Sequence, residues 1–555
     1  MDLQLLWLLY GMICTWLQHV VDGSVIVETL DGKLEGYEDK SRFGKTFQAF
    51  EGVPYAKPPL GSLRFSEPQP VTPWEGVRPA KAPTICIGYT NFAPKDANLN
   101  KAYGQEDCLH LSIYTKSLDA SAKKPVIVYI YGGGFGSRTL FGYYSKANYF
   151  MDYDIVLVQV NYRVAMFGFL DFYDGVLPKN VGLKDMLLGL KWVNKNIEFF
   201  GGDPNQVTVM GESAGAASAH FLAISPATEG LIHRAILLSG SGYTRWAWAT
   251  SDHAKFVANH AAEFTNCTRP TTAETVDCLR AVDGESLIAV FPEIEKRFGT
   301  PDSPVNPFAP TISSIDSSEP FLRGFPKDWP PMKIPIITNF DTGEGLVLTM
   351  GMNPLIIGKE YDFSHVNERF DHYLLEVLMI NDSLTPGKDD VLKFVKNRYF
   401  GGKDHLTPKD LDALVNLFTD TFFLAPLYEL IQNTEGDVHL YKNDFQGVIS
   451  FAPNFGKLNQ TGHCTQLFHL FDYGLIPQMP EVDLAFSKDL LQALVDFSSG
   501  KKPLKWGSLE WPSTQKDEIK LLLLHSSGHK IVGCDDLKAE YETWHQLGPR
   551  RLAYN

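Results

Sequence analysis

Apolar positions follow two rhythms along this chain, and their alternation predicts the fold class before any residue has a role. Residues 126–131 (VIVYIY), 155–162 (IVLVQVNY), 207–210 (VTVM) and 235–238 (AILL) are apolar runs rich in β-branched side chains. Such runs are expected of strands covered on both faces of a sheet. Between them Leu183, Met186, Leu187, Leu190 and Val193 recur at helical spacing, so a helix lays one face on that sheet. Strand–helix–strand alternation predicts right-handed crossovers and a large, mainly parallel sheet with helices on both faces, an α/β fold. Upstream, 25–29 and 34–37 flank Asp31-Gly32 and read as an opening hairpin, and 50–56 leads into a proline-rich loop. Downstream, 334–339 and 438–441 predict later strands. Residues 250–330 and 361–421 read as helical, loop-rich insertions that would wall a pocket.

Composition changes the picture little. The chain is 44% hydrophobic and 21% charged, which is globular. A net charge of −15 argues against nucleic acid and anionic membrane as partners. Residues 3–17 are apolar and precede Val21-Asp22-Gly23, so 1–23 reads as a secretory signal, although Asp2 stands where a positive residue is usual. No linker, repeat or low-complexity run divides 24–555, which is expected to be a single domain with long insertions. No later segment reads as apolar enough to span a bilayer, and the last residues carry no membrane anchor or retention signal. A secreted, soluble protein is the expectation. With Cys14 in the signal, six cysteines remain. Short spacing suggests Cys86–Cys108 and Cys267–Cys278, with Cys464 and Cys534 left over, but spacing alone leaves other pairings open. Asn266, Asn381 and Asn459 begin Asn-x-Ser/Thr triplets and are candidate glycan acceptors, Asn459 lying close to a candidate catalytic residue.

Candidate chemistry centres on Gly211-Glu212-Ser213-Ala214-Gly215, which ends the run at 207–210 and opens a helical stretch at 216–222. Strand, strained turn and helix make a nucleophile elbow, with Ser213 Oγ raised above the sheet at a helix N-terminus. A serine hydroxyl needs a base to take its proton, and the base needs an acid to fix its tautomer. In this architecture the order is serine, acid, histidine. Glu344 is the chosen acid, following a strand end and flanked by Gly343 and Gly345; Asp341 competes with it. His463 is the chosen base, after a strand and loop and before an apolar stretch, while His469 reads as packed or solvated. Tyr131-Gly132-Gly133-Gly134-Phe135-Gly136 follows the first buried strand, where bare backbone N–H groups can face an oxyanion. Gly133, Gly134 and Ala214 are the proposed donors.

These pieces, with Phe50-Glu51-Gly52-Val53-Pro54-Tyr55-Ala56, Glu106-Asp107-Cys108-Leu109, Asn161-Tyr162-Arg163 and Phe200-Gly201-Gly202-Asp203-Pro204, resemble the type-B carboxylesterase/cholinesterase family over nearly the whole mature chain. They look most like a secreted insect carboxylesterase. The resemblance implies the α/β-hydrolase fold, the triad Ser213–Glu344–His463, the oxyanion donors above and both short-range disulfides. It implies hydrolysis of small to medium carboxyl esters through an acyl-enzyme, in xenobiotic, pheromone or hormone ester turnover, with no cofactor and no metal. It also implies reaction of Ser213 with organophosphates. The chain departs from the family at Thr465 and Gln466, where an acidic pair usually follows the histidine, at Gly462, and at Ala216. The 86–108 loop holds Tyr89, Phe92 and Tyr103 but no tryptophan, which disfavours choline esters. Juvenile-hormone esterases typically carry glutamine in place of Glu212, which disfavours that activity. The alternatives are a non-catalytic, cholinesterase-like adhesion protein and a lipase. Oligomeric state leaves no mark in the sequence.

Overall fold

Thirteen strands form one sheet. In chain order they begin with β1 (Ser24–Glu28), β2 (Lys33–Lys40), β3 (Thr46–Pro54), β4 (Val77–Pro79), β5 (His110–Thr115) and β6 (Lys124–Ile130). Then come β7 (Val156–Val160), β8 (Gly202–Glu212), β9 (Arg234–Leu238), β10 (Ile336–Asp341) and β11 (Val438–Asp444). After a separate hairpin of β12 (Lys505–Trp506) and β13 (Leu509–Glu510), the sheet ends with β14 (Lys520–His525) and β15 (Lys530–Gly533). Across the sheet the order is β1-β2-β3-β5-β7-β6-β8-β9-β10-β11-β14-β15, with β4 beside β2. Neighbours from β7 to β14 are parallel, and both flanks are antiparallel apart from β4, which runs parallel to β2. This computed structural model describes residues 23–546 except 90–101, 137–144, 298–306, 353–359, 381–386, 450–459, 475 and 477. The signal stretch up to residue 22, Phe92, Asn381 and Asn459 lie outside the described residues, and Asn266 is exposed.

The central strands form where the apolar runs are. Every residue of β7 is buried, and its one polar side chain, Gln159, donates to the Ser145 carbonyl at 2.8 Å. Residues 46–54 form β3, a strand the apolar pattern did not single out, which pairs with β5 through a bulge between Phe50 and Val53. Gly52 allows the bulge: its φ is 79°, and a Cβ there would sit 2.6 Å from the Ala82 carbonyl oxygen. Helix Val181–Asn196 buries all five of the periodic apolar residues together with Asp185. Asp185 is fully buried and receives a forked pair of hydrogen bonds from Arg163, Nε at 2.8 Å and Nη2 at 2.7 Å. Replacing Asp185 by alanine leaves a buried, unpaired guanidinium, and a loss of about 3–5 kcal/mol is expected. Chemical denaturation of the variant beside the parent measures it.

Both short-range disulfides form, Cys86–Cys108 and Cys267–Cys278, while Cys464 and Cys534 are free. One expectation needs correction. Among the described residues one later helix, Pro408–Gln432, is long and apolar enough to cross a membrane by length and composition. Most of it is buried inside the protein, with Leu414, Val415, Leu417, Phe418, Phe422 and Phe423 all inward. Its apolarity is that of a core helix.

Candidate active site

β8 delivers its last residue, Glu212, to the carboxyl-terminal edge of the parallel strands. Ser213 then turns with φ 57° and ψ −124° into helix Ala214–Ile224. That is a left-handed conformation a serine adopts only when its surroundings enforce it. Here the Ser213 N–H is held by the Leu238 carbonyl at 2.8 Å, and the helix is jammed onto the sheet. A Cβ at Gly211 would lie 2.1 Å from the Gly215 carbonyl oxygen, and one at Gly215 would lie 2.1 Å from that of Ile130. Both elbow glycines are therefore required by close approach. Ser213 itself is half-buried, open to the site.

The glycine loop after β6 lies against this turn. A Cβ on Gly132 would be 3.0 Å from Ser213 Cβ and 2.6 Å from Glu212 Oε2. Gly133 and Gly134 have φ of 111° and 60°, which glycine supplies without strain. Among the described residues nothing accepts a backbone hydrogen bond from the N–H of Gly133, Gly134 or Ala214.

Glu344 follows β10 and His463 follows the loop after β11. The two loops are laced together: Gly343 N–H donates to the Thr461 carbonyl at 2.8 Å, and Thr461 N–H donates to Thr342 Oγ1 at 2.9 Å. This brings His463 Nδ1 to 2.5 Å from Glu344 Oε2, with both side chains buried. Glu344 Oε1 is occupied by the Asp341 N–H at 2.8 Å, which fixes the carboxylate in the plane it needs. Asp341, the competing acid, is also buried but faces away, accepting from Asn443 Nδ2 at 2.9 Å. With the Gln466 amide turned so that its nitrogen meets Asp341 Oδ2 at 2.8 Å, its carbonyl accepts from Ser239 Oγ at 3.1 Å. Gln466, a departure from the family pattern, thus stitches the ends of β9 and β10 together. Thr465, the other departure, donates to the Gly462 carbonyl at 2.7 Å. His469 is fully buried against Asp483 at 3.1 Å and packs, as expected of it.

Residues that sequence alone did not assign complete the site. His463 Nε2 lies 3.1 Å from Glu212 Oε1, and the Cys464 thiol donates to that same oxygen at 2.9 Å. Among the described residues no hydrogen bond joins Ser213 Oγ to His463; in this resting arrangement the imidazole leans on the neighbour of the serine. Nucleophile–base hydrogen bonds are often long or absent before substrate arrives. Burial pulls the His463 pKa down, but the facing carboxylates of Glu212 and Glu344 outweigh it and hold the imidazole above its ordinary value. Burial raises Glu212 in turn, partly offset by His463 and the Cys464 hydrogen bond. The Phe423 ring, 5.3 Å from the imidazole, closes one side. Glu212 could have been anticipated from its place in the elbow. Cys464, more than two hundred and fifty positions away in sequence, could not.

The carboxylesterase family model matches residues 23–543. Juvenile hormone esterase of Tribolium castaneum is 31% identical over 539 residues, covering 92% of this chain and 90% of its own. Esterase FE4 of Myzus persicae is 34% identical over 449 residues, or 77% of this chain and 75% of that one. The crystal structure of juvenile hormone esterase from Manduca sexta, with OTFP covalently attached, matches with a TM-score of 0.79 at 25% identity, covering 95% of this chain and 99% of that one. The fold is the α/β-hydrolase fold. A family model that spans the sheet from its first strand to its last, and relatives aligned over most of their own length, make the chain a member of the carboxylesterase family and a carboxylic ester hydrolase.

Proposed function

We propose that Ser213, His463 and Glu344 carry the hydrolysis and that Gly133, Gly134 and Ala214 bind the oxyanion. Glu344 accepts a hydrogen bond from His463 Nδ1–H, which fixes the proton there and leaves Nε2 as the proton acceptor. Ser213 Oγ attacks the ester carbonyl while Nε2 takes its proton, and that proton then passes to the departing alkoxide. Water, deprotonated by the same nitrogen, hydrolyses the acyl-enzyme and restores Ser213. The observation that carries this reading is the buried Glu344–His463 pair at 2.5 Å, on loops that end strands beside the elbow. Small to medium carboxyl esters are the substrate class, and export through the signal at the start of the chain is part of the same reading, supported by the disulfides.

The test is covalent. An organophosphate nitrophenyl ester should release one equivalent of nitrophenol, abolish hydrolysis of nitrophenyl acetate, and leave its phosphoryl group on the peptide that contains Ser213. A label on any other residue, or none with activity intact, overturns the assignment.

The acid limb of the pH profile follows from the charges around His463. The base must be neutral to act, so kcat/KM falls as pH drops through its raised pKa. Glu212→Gln removes a charge that raises that pKa, so the acid limb should move to lower pH. A profile unchanged in position sinks this account of Glu212.

A further inference from the structure

Cys464 takes no part in the steps above, yet its placement is deliberate. It is one of the non-glycine residues with a left-handed backbone, φ 68°, and that turn aims its thiol at Glu212 beneath the imidazole. The Sγ of Cys464, a carboxylate oxygen of Glu212 and a ring nitrogen of His463 all lie within 4.8 Å of one another, drawn from one loop and the end of β8. Thiolate, imidazole and carboxylate together are the donor set of zinc and its softer relatives.

We propose that Cys464, His463 Nε2 and Glu212 form a binding site for a soft divalent cation, Zn²⁺ or Cd²⁺, whose occupation switches hydrolysis off. The donors are already close: Sγ to Oε1 is 2.9 Å and Nε2 to Oε1 is 3.1 Å. Tetrahedral Zn²⁺, with bonds of about 2.3 Å to sulfur and about 2.1 Å to nitrogen and oxygen, sets those separations near ~3.4–3.6 Å. Those two pairs would spread by roughly 0.3–0.7 Å to reach it. The cation displaces the thiol proton to solvent and takes up the sulfur and nitrogen lone pairs, with no change of oxidation state. Three protein donors leave one position for water. Inhibition follows because the nitrogen that binds metal is the one that must accept the serine proton. This consequence rests on the proposed role of His463, whereas the site itself does not.

Two readouts separate them. Cd²⁺ titrated into the Ser213→Ala protein should produce thiolate-to-metal charge-transfer absorbance at one equivalent, lost in a Ser213→Ala, Cys464→Ala double variant and kept when Cys534→Ala replaces the second change. Buffered Zn²⁺ should inhibit nitrophenyl acetate hydrolysis by the parent, reversed by EDTA. Each rate is normalised to that protein's own metal-free rate. Inhibition should weaken by about tenfold or more in Cys464→Ala, since even outer partners of a metal site are worth about 10–100-fold. Should Cys464→Ala fold poorly, Cys464→Ser keeps a donor to Glu212 and still replaces the soft ligand. A Cd²⁺ signal that follows Cys534, or Zn²⁺ inhibition unaltered in the Cys464 variants, overturns the site. A Cys464-dependent signal without inhibition upholds the site and overturns the consequence drawn from His463 as base.

Discussion

Ser213→Ala is expected to lower kcat for a short-chain nitrophenyl ester by ~10³- to 10⁶-fold with the fold intact. The fold should survive because the hydroxyl holds nothing in place. The bonds that shape the turn are backbone ones, from Ser213 N–H to Leu238 and from Ala217 N–H to the Ser213 carbonyl at 3.0 Å. Alanine bears the φ of 57° with the same Cβ that serine has. What remains should be the modest acceleration that the oxyanion donors and substrate binding supply without a nucleophile. Adding His463→Ala to Ser213→Ala should cost almost nothing more, since groups that act as a unit are lost together. Steady-state kinetics on the two single variants and the double variant decide this. A Ser213→Ala rate within tenfold of the parent would remove the elbow from the mechanism.

Glu344→Gln carries the second large expectation, a fall in kcat of about 10⁴-fold with KM little changed. An amide in that place presents either a carbonyl or an NH₂ to His463 Nδ1 and no longer stabilises the charged imidazole. Its hydrogen bond from the Asp341 N–H can still form through the carbonyl oxygen, so structure should hold. Asp341→Asn makes the contrast. Its carboxyl has Asn443 and Gln466 as partners, not the imidazole. The expected result there is a stability loss of about 1–3 kcal/mol from a mismatched buried network, with kcat much less affected. If the two variants exchanged these phenotypes, the acid would be Asp341.

The parts of this molecule that were legible in its sequence are those where local pattern and final environment agree. The runs at 126–131 and 207–210 became β6 and β8 because strands buried on both faces need no alternation. β3 was missed because its bulge inserts Glu51 and Gly52 and its last residue is Pro54, all signals of a loop when read alone. Chain order is what proposes Ser213, Glu344 and His463 as a set. It could not show that His463 rests between two carboxylates, because that depends on Glu212 and Cys464 meeting across the sheet edge. Nor could it show what replaced the acidic pair after the histidine: Gln466 serves Asp341 and Ser239, at the ends of two other strands. Contacts between distant segments carry no local periodicity.

The helix Pro408–Gln432 does not run evenly. Between the α-turns of Leu411–Thr419 and Ala425–Gln432 it widens into a π turn, Asp420–Leu424. The widening starts just after Thr419, whose hydroxyl accepts from Gly345 N–H at 2.9 Å beside Glu344, and takes in Phe423, whose ring covers His463. A π turn is the mark of one residue added to an α-helix. Taking one residue out would rotate one half of the helix against the other by about 100°. Either Thr419 would leave the acid loop or Phe423 would leave the base. Helix length here therefore acts as a gear: a one-codon insertion or deletion, far from the nucleophile in sequence, resets which side chains address the acid and the base without altering either of them.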